Sequence, residues 1–187
     1  MSLRGFPQNI NLCYSVIVAR ILTVEMTSPV VHELAGSNSS QLVAFALDEQ
    51  RYALRLCAVE QIVRIVEIAT LPQAPEMVLG VVNIRGRIIP VFHIRKRFHL
   101  PERDIDLSDH LIIARSAKRV VALVADTVIG VVTRADLEVT TAERILSGLD
   151  YIEGVVKWDD GLVFIHDLDT FLSIDEEKLL ERAMTSV

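Results

Sequence analysis

Apolar residues in this chain recur mainly at every second position, and polar or glycine-bearing turns interrupt them at short intervals. Val43, Phe45 and Leu47 alternate, Asp48 to Arg51 are polar, and Tyr52, Leu54 and Leu56 alternate again. A period of two marks strands, so this segment predicts a hairpin with a four-residue connection. Val59, Ile62 and Ile65 are spaced by three, but Ile62-Val63 and Ile65-Val66 suit a strand, and strand or mixed structure is the preferred reading. Leu71-Pro72 and Ala74-Pro75 then punctuate the chain. Pro75 to Leu79 is read as a short helix, with proline at its first position and Gly80 just past its end.

Gly80-Val-Val-Asn-Ile-Arg-Gly-Arg-Ile-Ile-Pro-Val91 is the most informative stretch. Val81, Val82 and Ile84 can pair with Ile88, Ile89 and Val91, while Gly86 supplies the positive φ of a tight turn. Asn83, Arg85 and Arg87 then fall at or beside the turn. Asn83 can bond local backbone, and Arg85 offers a rigid fork of donors to a carboxylate or carbonyl outside the hairpin. Pro90 cannot donate to a ladder, which predicts a sheet edge or a bulge. Such a tip suggests a binding surface, not a catalytic pocket.

Further on, Ile94 to Phe98 predicts a helical turn, Leu111–Ala114 and Val120–Ala125 a hairpin, and Val128–Val132 a strand. Tyr151–Val156 and Leu162–Ile165 flank Asp160-Gly161, a hairpin signal. Asp175 to Met184 is the one long helical candidate, capped by Asp175 and striped by Leu179, Leu180 and Ala183. There is also an internal echo. Gly80-Val-Val, a turn glycine, an apolar run, His93 and Phe98 reappear as Gly154-Val-Val, a turn glycine, an apolar run, His166 and Phe171. If real, it implies two similar β units. Many short strands with regular turns point to small barrels or a sandwich.

Composition supports this. The 187 residues suffice for a core without disulfides or metal, 51% are apolar, and only 5% are aromatic, which fits sheets packed on aliphatic side chains. A net charge of −6 argues against nucleic-acid binding. Arg95-Lys96-Arg97 is the one basic cluster and reads as a solvated helix face. Cys13 and Cys57 lie far apart, with no disulfide framework or zinc spacing, and a reducing cytoplasm is the simplest compartment.

The apolar run Leu12 to Ala19 is ended by Arg20, well short of the ~20 residues of a membrane span, and no small-residue cleavage site follows. It is read as non-targeting. Ser28 to Ser40 has linker composition. Residues 1–39 are therefore expected to be a flexible extension, with Met26 as an alternative start, and residues 40–187 to form the folded domain.

Catalytic chemistry finds little support. Phosphate cradles, H-E-x-x-H, paired C-x-x-C and nucleophile elbows are missing. His32, His93, His99, His110 and His166 are not spaced for a metal, and each is better read as surface or packed histidine. Ser108-Asp109-His110 holds triad residue types without triad geometry. Asp159-Asp160-Gly161 lacks the alternating ligands of a calcium loop. Cys57 ends an apolar strand pattern and is read as a buried, inert thiol.

These motifs resemble one family. From about Gln41 to Ala183 the chain is similar to CheW-like domains of bacterial chemotaxis, most specifically where Gly80 to Val91 matches G-V-x-N-[LI]-R-G-x-[IV]-[IV]-P. Phe45-x-Leu47 with Tyr52-Ala-Leu54, Val59-x-x-Ile62, Val121-x-Leu-Val-x-Asp126-x-Val128 and Ile152-x-Gly154 support the match. The resemblance implies a mostly β fold of two five-stranded, SH3-like β-barrel subdomains sharing a hydrophobic seam, with a few short helices and a C-terminal helix. It implies no enzyme, no cofactor and no metal. The implied role is a cytoplasmic adaptor, recruited to membrane receptor arrays only through its partners, that links methyl-accepting chemoreceptor tips to the regulatory domain of the histidine kinase CheA.

The implied partner-binding residues are Arg85, Asn83, Val59, Gln61, Ile62 and Val82, forming an apolar groove with an arginine at its rim that receives a receptor helix. Two positions depart from the family pattern. Gln61 stands where Glu is frequent, with Glu60 before it, and His93 replaces an aspartate after the hairpin. A regulatory module for a non-chemotactic two-component kinase is the alternative, and a small histidine-dependent hydrolase is the minor one.

Overall fold

The computed structural model describes residues 41–133, 138–140, 151–158 and 161–185. The expectations placed on residues 1–39, on Met26 and on Asp159-Asp160 lie outside them. The described elements are β1 (Gln41–Leu47), β2 (Gln50–Arg55), a 3-10 turn (Leu56–Ala58), β3 (Val59–Arg64), β4 (Val78–Ile84), β5 (Arg87–Phe92), α1 (Ile94–Arg97), β6 (His110–Arg115), β7 (Val120–Ala125), β8 (Thr127–Thr133), β9 (Glu138–Thr140), β10 (Ile152–Trp158), β11 (Gly161–His166) and α2 (Ile174–Thr185). They form a six-stranded sheet, β8-β1-β2-β11-β10-β9, and a five-stranded sheet, β3-β6-β7-β5-β4. The chain starts in the first sheet, builds the second with β3 to β7, and returns.

The echo between the two hairpins corresponds to a shared topology. In one sheet β11 of the β10–β11 hairpin runs parallel to β2, and in the other β5 of the β4–β5 hairpin runs parallel to β7. Both first strands shift register at their glycine, between Val78 and Gly80 and between Ile152 and Gly154. The two sheets are curled, SH3-like units and not fully closed barrels. The five-stranded one is drawn together at one point, where the segment after β3 crosses to β4 and Ala69 and Val81 exchange two backbone hydrogen bonds of 2.9 and 2.8 Å. Gly80 beside them allows this approach, because any β-carbon there would meet the Ala69 carbonyl oxygen at 2.2 Å.

Three apolar clusters follow from this arrangement. Leu42, Ala53, Val156, Val163 and Ile165 fill one sheet, and Val82, Ile89, Val91, Leu111, Ile113 and Ala122 fill the other. The largest cluster lies between them and includes Phe45, Tyr52 and Leu54 from the first sheet and Phe92, Ile112 and Leu123 from the second. This is the expected seam. Alternation along each strand sends one set of side chains to its own sheet's interior and the other set to the seam.

Several local expectations are corrected. The first hairpin has a two-residue turn, Asp48-Glu49, since Leu47 pairs Gln50, and the strands run on into the polar residues. Pro75 to Leu79 is not a helix: one turn, closed by the Val78 N–H donating to the Pro75 carbonyl at 2.8 Å, leads directly into β4. Backbone pairing with Phe92 wins over the local proline signal. β5 sits inside its sheet, yet it pairs with β7 only at Val91 and Phe92, just after Pro90. Val81, opposite Pro90, spends its own N–H and C=O on Ala69, so the proline interrupts no ladder bond to β4. Helix α2 is capped not by Asp175 but by Ser173, whose Oγ accepts from the Glu176 N–H while Glu176 Oε2 accepts from the Ser173 N–H. This capping box was legible as Ser173-x-x-Glu176. Cys57 is exposed, because the 3-10 turn points Leu56 inward and Cys57 outward.

Candidate partner-binding surface

The β4–β5 hairpin closes at Ile84 and Arg87, so its turn consists of Arg85 and Gly86 alone. Both have positive φ, +54° and +82°. A two-residue turn that follows the right-handed strand twist needs this at both positions, and the arginine thus shares a conformation the sequence reading assigned to glycine alone. Asn83 Oδ1 accepts a 2.9 Å hydrogen bond from the Gly86 N–H and latches the turn. Arg85 is exposed, and among the described residues it makes no hydrogen bond or ion pair. The latched turn fixes the backbone from which its side chain leaves.

The second half of the expected site is brought alongside by Glu60. β3 shifts register against β6 between Val59 and Gln61, which releases Glu60 from the regular alternation. Its Oε2 accepts from Arg87 Nη1 at 2.9 Å, and its Oε1 lies 2.5 Å from Arg115 Nη2. One carboxylate therefore ties β3 to the first residue of β5 and the last of β6. Gln61 and Ile62 are half-buried on β3, next to this tie. Val59 and Val82 are almost wholly buried, 3% and 1% exposed, in the seam and in the five-stranded sheet's own core respectively. Ile88, 45% exposed and paired with Asn83, is the apolar residue that shares the outer face with the turn. Alternation was the available signal for it, since Ile89 is its buried neighbour.

Beyond the other end of β5, away from the turn, a charged network joins the two sheets. Arg95, 6% exposed, donates to both oxygens of Asp48 at 2.7 and 2.9 Å and also to Asp126 Oδ2. Arg103 Nη2 bonds Asp126 Oδ1 and Asp109 Oδ1, each at 2.6 Å. Asp48 belongs to the β1–β2 turn and the others to the second sheet's surroundings, so the network clamps one to the other. Hydrogen bonding from Arg95 holds the Asp48 carboxyl below its usual range. The basic run is thus not a solvated face: Arg95 is interior, and Arg97 bonds Glu176 Oε2 and the Phe171 carbonyl, fixing α2. Arg103 and Asp109 are neighbours within one loop, whereas Asp48 meets Arg95 only across the seam, a pairing that nothing in the sequence marked.

Two of the histidines, His93 and His166, have structural positions. His93 Nδ1 accepts from the Lys96 N–H at the start of α1, and burial lowers its pKa. His166 is 4% exposed, stacked on Phe98 with ring centroids 4.2 Å apart, and lies near Tyr52 and Tyr151. Its Nδ1 lies 3.1 Å from the Tyr151 carbonyl, so that nitrogen carries the proton and donates. Burial pushes its pKa down to about 4, and its Nε2 has no partner among the described residues. Asp109 of the Ser108-Asp109-His110 run is committed to Arg103 and to the Asp106 N–H. Among the described residues no three His, Cys, Asp or Glu side chains cluster as metal ligands, and no helix is long and apolar enough to cross a membrane.

A cleft of about 330 Å³ opens where the sheets meet, lined by Leu54, Arg55, Ala58, Arg115, Glu153, His166 and Asp167–Asp169. Arg115 is common to this cleft and to the Glu60 tie, so the hairpin face and the cleft are continuous.

Comparison with known proteins agrees with the geometry. The CheW-like domain profile matches residues 41–176. The chain is 28% identical to the chemotaxis protein CheW of Treponema pallidum over 142 residues, 73% of this chain and 84% of that protein. It is 29% identical to the chemotaxis protein CheW of Thermotoga maritima over 134 residues, 71% and 87% of the two chains. The crystal structure of the scaffolding protein TtCheW from Thermoanaerobacter tengcongensis superimposes with a TM-score of 0.65 at 27% identity, covering 78% of this chain and 96% of that one. With two seam-sharing sheets, the arginine-glycine hairpin and a profile match over most of its length, the chain belongs to the CheW-like domain family.

Proposed function

We propose that this chain is a non-catalytic adaptor of bacterial chemotaxis that couples the cytoplasmic tips of methyl-accepting chemoreceptors to the histidine kinase CheA. The observation that carries the reading is Arg85, held at positive φ in a latched two-residue turn with no hydrogen bond or ion pair among the described residues. The turn fixes the backbone from which the side chain leaves, and the planar fork of its guanidinium can set the register of an incoming helix. Ile88, Ile62 and Gln61 supply adjoining contact area, while Val59 and Val82 hold the strands from beneath. The name of the TtCheW relative, a scaffolding protein, agrees with a role in assembly and not in turnover. Membrane proximity in this reading comes through the receptors.

The test is a pull-down with a receptor-tip helical hairpin and with the CheA regulatory domain. Both bind the unmodified chain, and Arg85→Glu loses the receptor tip while keeping its fold. Undiminished receptor binding by Arg85→Glu would reject the site. Recovery from the native host of a kinase outside chemotaxis, in place of CheA, would favour the alternative regulatory module.

A further inference from the structure

The cleft at the meeting of the two sheets has chemistry of its own. Its apolar wall comes from Leu54, Ala58 and Leu168, and its charged groups are Arg55, Arg115, Glu153, Asp167 and Asp169. The two arginines are already engaged. Arg55 forms a two-point pair with Glu153 at 2.7 and 2.5 Å, and Arg115 pairs with Glu60. Asp167 and Asp169 have no ion pair among the described residues. Asp167 Oδ1 accepts from the Asp169 N–H and Asp169 Oδ1 from the Ala117 N–H, which fixes both carboxylates and leaves the second oxygen of each unassigned. His166 also forms part of the wall, and its Nε2 is a buried acceptor without a donor among the described residues. With Glu60 counted, four carboxylates stand against two guanidiniums around the cleft, so negative charge is in excess although Arg55 also interacts with Asp167. The complementary ligand is one that only donates, carries positive charge and has an apolar stem.

We propose that this cleft receives a long basic side chain, an arginine or lysine of a partner protein, with its methylenes on Leu54, Ala58 and Leu168 and its cationic head between Asp167 and Asp169. Long cationic side chains bury their stems on apolar surface while the head reaches an anionic rim, and guanidinium suits a pair of carboxylates best. The adaptor reading supplies the partner's identity only. The chemistry of the cleft stands without it, since none of its lining residues is among those expected to contact the receptor. An arginine seated here would be a second anchor on the same continuous face, setting which partner helices are accepted through charge and not through apolar area.

The experiment is an amide NMR titration of the full chain with N-acetyl-arginine amide. N-acetyl-citrulline amide, similar in shape but uncharged, and N-acetyl-norleucine amide are the comparators. Saturable shifts confined to Ala58, Leu168, Asp169 and their neighbours are expected with the arginine derivative, which should bind about fivefold more tightly than citrulline. Asp167→Asn with Asp169→Asn retains the Oδ1 acceptors and removes the charge, so it should bring arginine down to the citrulline level. Arg85→Ala should leave the titration unchanged, which separates this cleft from the receptor site. Shifts scattered over the surface, or equal binding of arginine and citrulline by the unmodified chain, would overturn the proposal whether or not the variants fold. Loss of receptor pull-down with an intact arginine preference would count against the adaptor site alone.

Discussion

Gly80 lies so close to Ala69 that a β-carbon on it would sit 2.2 Å from the Ala69 carbonyl oxygen, and this contact is where the five-stranded sheet is drawn together. Gly80→Ala must break the Ala69–Val81 hydrogen bonds or displace β4, and its φ of +154° adds strain. A loss of about 3 kcal/mol is expected in urea unfolding. Gly86→Ala has positive φ but open space around it, and should cost only about 1 kcal/mol. Equal losses in the two variants would show that backbone conformation, and not the close approach, makes Gly80 necessary.

Asn83 and Arg85 separate turn stability from binding. Asn83→Ala removes the latch on the Gly86 N–H and should cost about 1 kcal/mol of stability. Arg85→Ala touches no internal contact and should leave the melting temperature within a degree or two while weakening receptor binding at least tenfold. Thermal melts beside binding isotherms check both. Destabilisation by Arg85→Ala as large as that by Asn83→Ala would give the arginine a structural role instead.

The clamp between the sheets has a different cost structure. Arg95→Ala leaves Asp48 without its main partner and Asp126 with Arg103 and the Asp48 N–H, in a region where Arg95 itself is shielded from water. Removing this shielded member, with Asp48 half exposed and Asp126 nearly buried beside it, should cost more than breaking an exposed pair. Arg55→Ala breaks an exposed pair with Glu153 and should cost less than about 1 kcal/mol. Parallel denaturant titrations give the comparison. Similar values would mean that the network does not clamp the seam.

His166 makes stability depend on pH in a defined window. Its pKa is about 4 in the folded chain against a reference of 6.5, so between these values the unfolded chain binds a proton that the folded chain refuses. Stability contributed by keeping this ring neutral is complete above pH 6.5 and is lost as pH falls toward 4, by at most roughly 3 kcal/mol. His166→Phe preserves the ring stack and cannot titrate. The wild-type advantage over that variant should therefore shrink on acidification across this window. A difference constant from pH 7 to 4 would show that the histidine is not held neutral.

Strand alternation and turn chemistry fixed much of this protein before any coordinates. β1, β2, β6, β7, β10 and β11, the tight turn at Gly86 and the place of Arg85 in it follow from patterns a few residues long, because a period of two and a positive-φ turn are properties of local backbone. The kinship of the two hairpins was legible for the same reason, as two glycines at matching places. What the tertiary structure alone decided involves residues far apart in the chain. It turned Val59 and Val82 inward into different cores, made Pro75 to Met77 a turn feeding β4, and exposed Cys57. It also drew Arg95 out of a basic run into the company of Asp48 and Asp126, and set Glu60 between Arg87 and Arg115. Charge pairing across a seam leaves no periodic trace, since its geometry exists only after the two sheets have packed, and the same holds for the cleft between them.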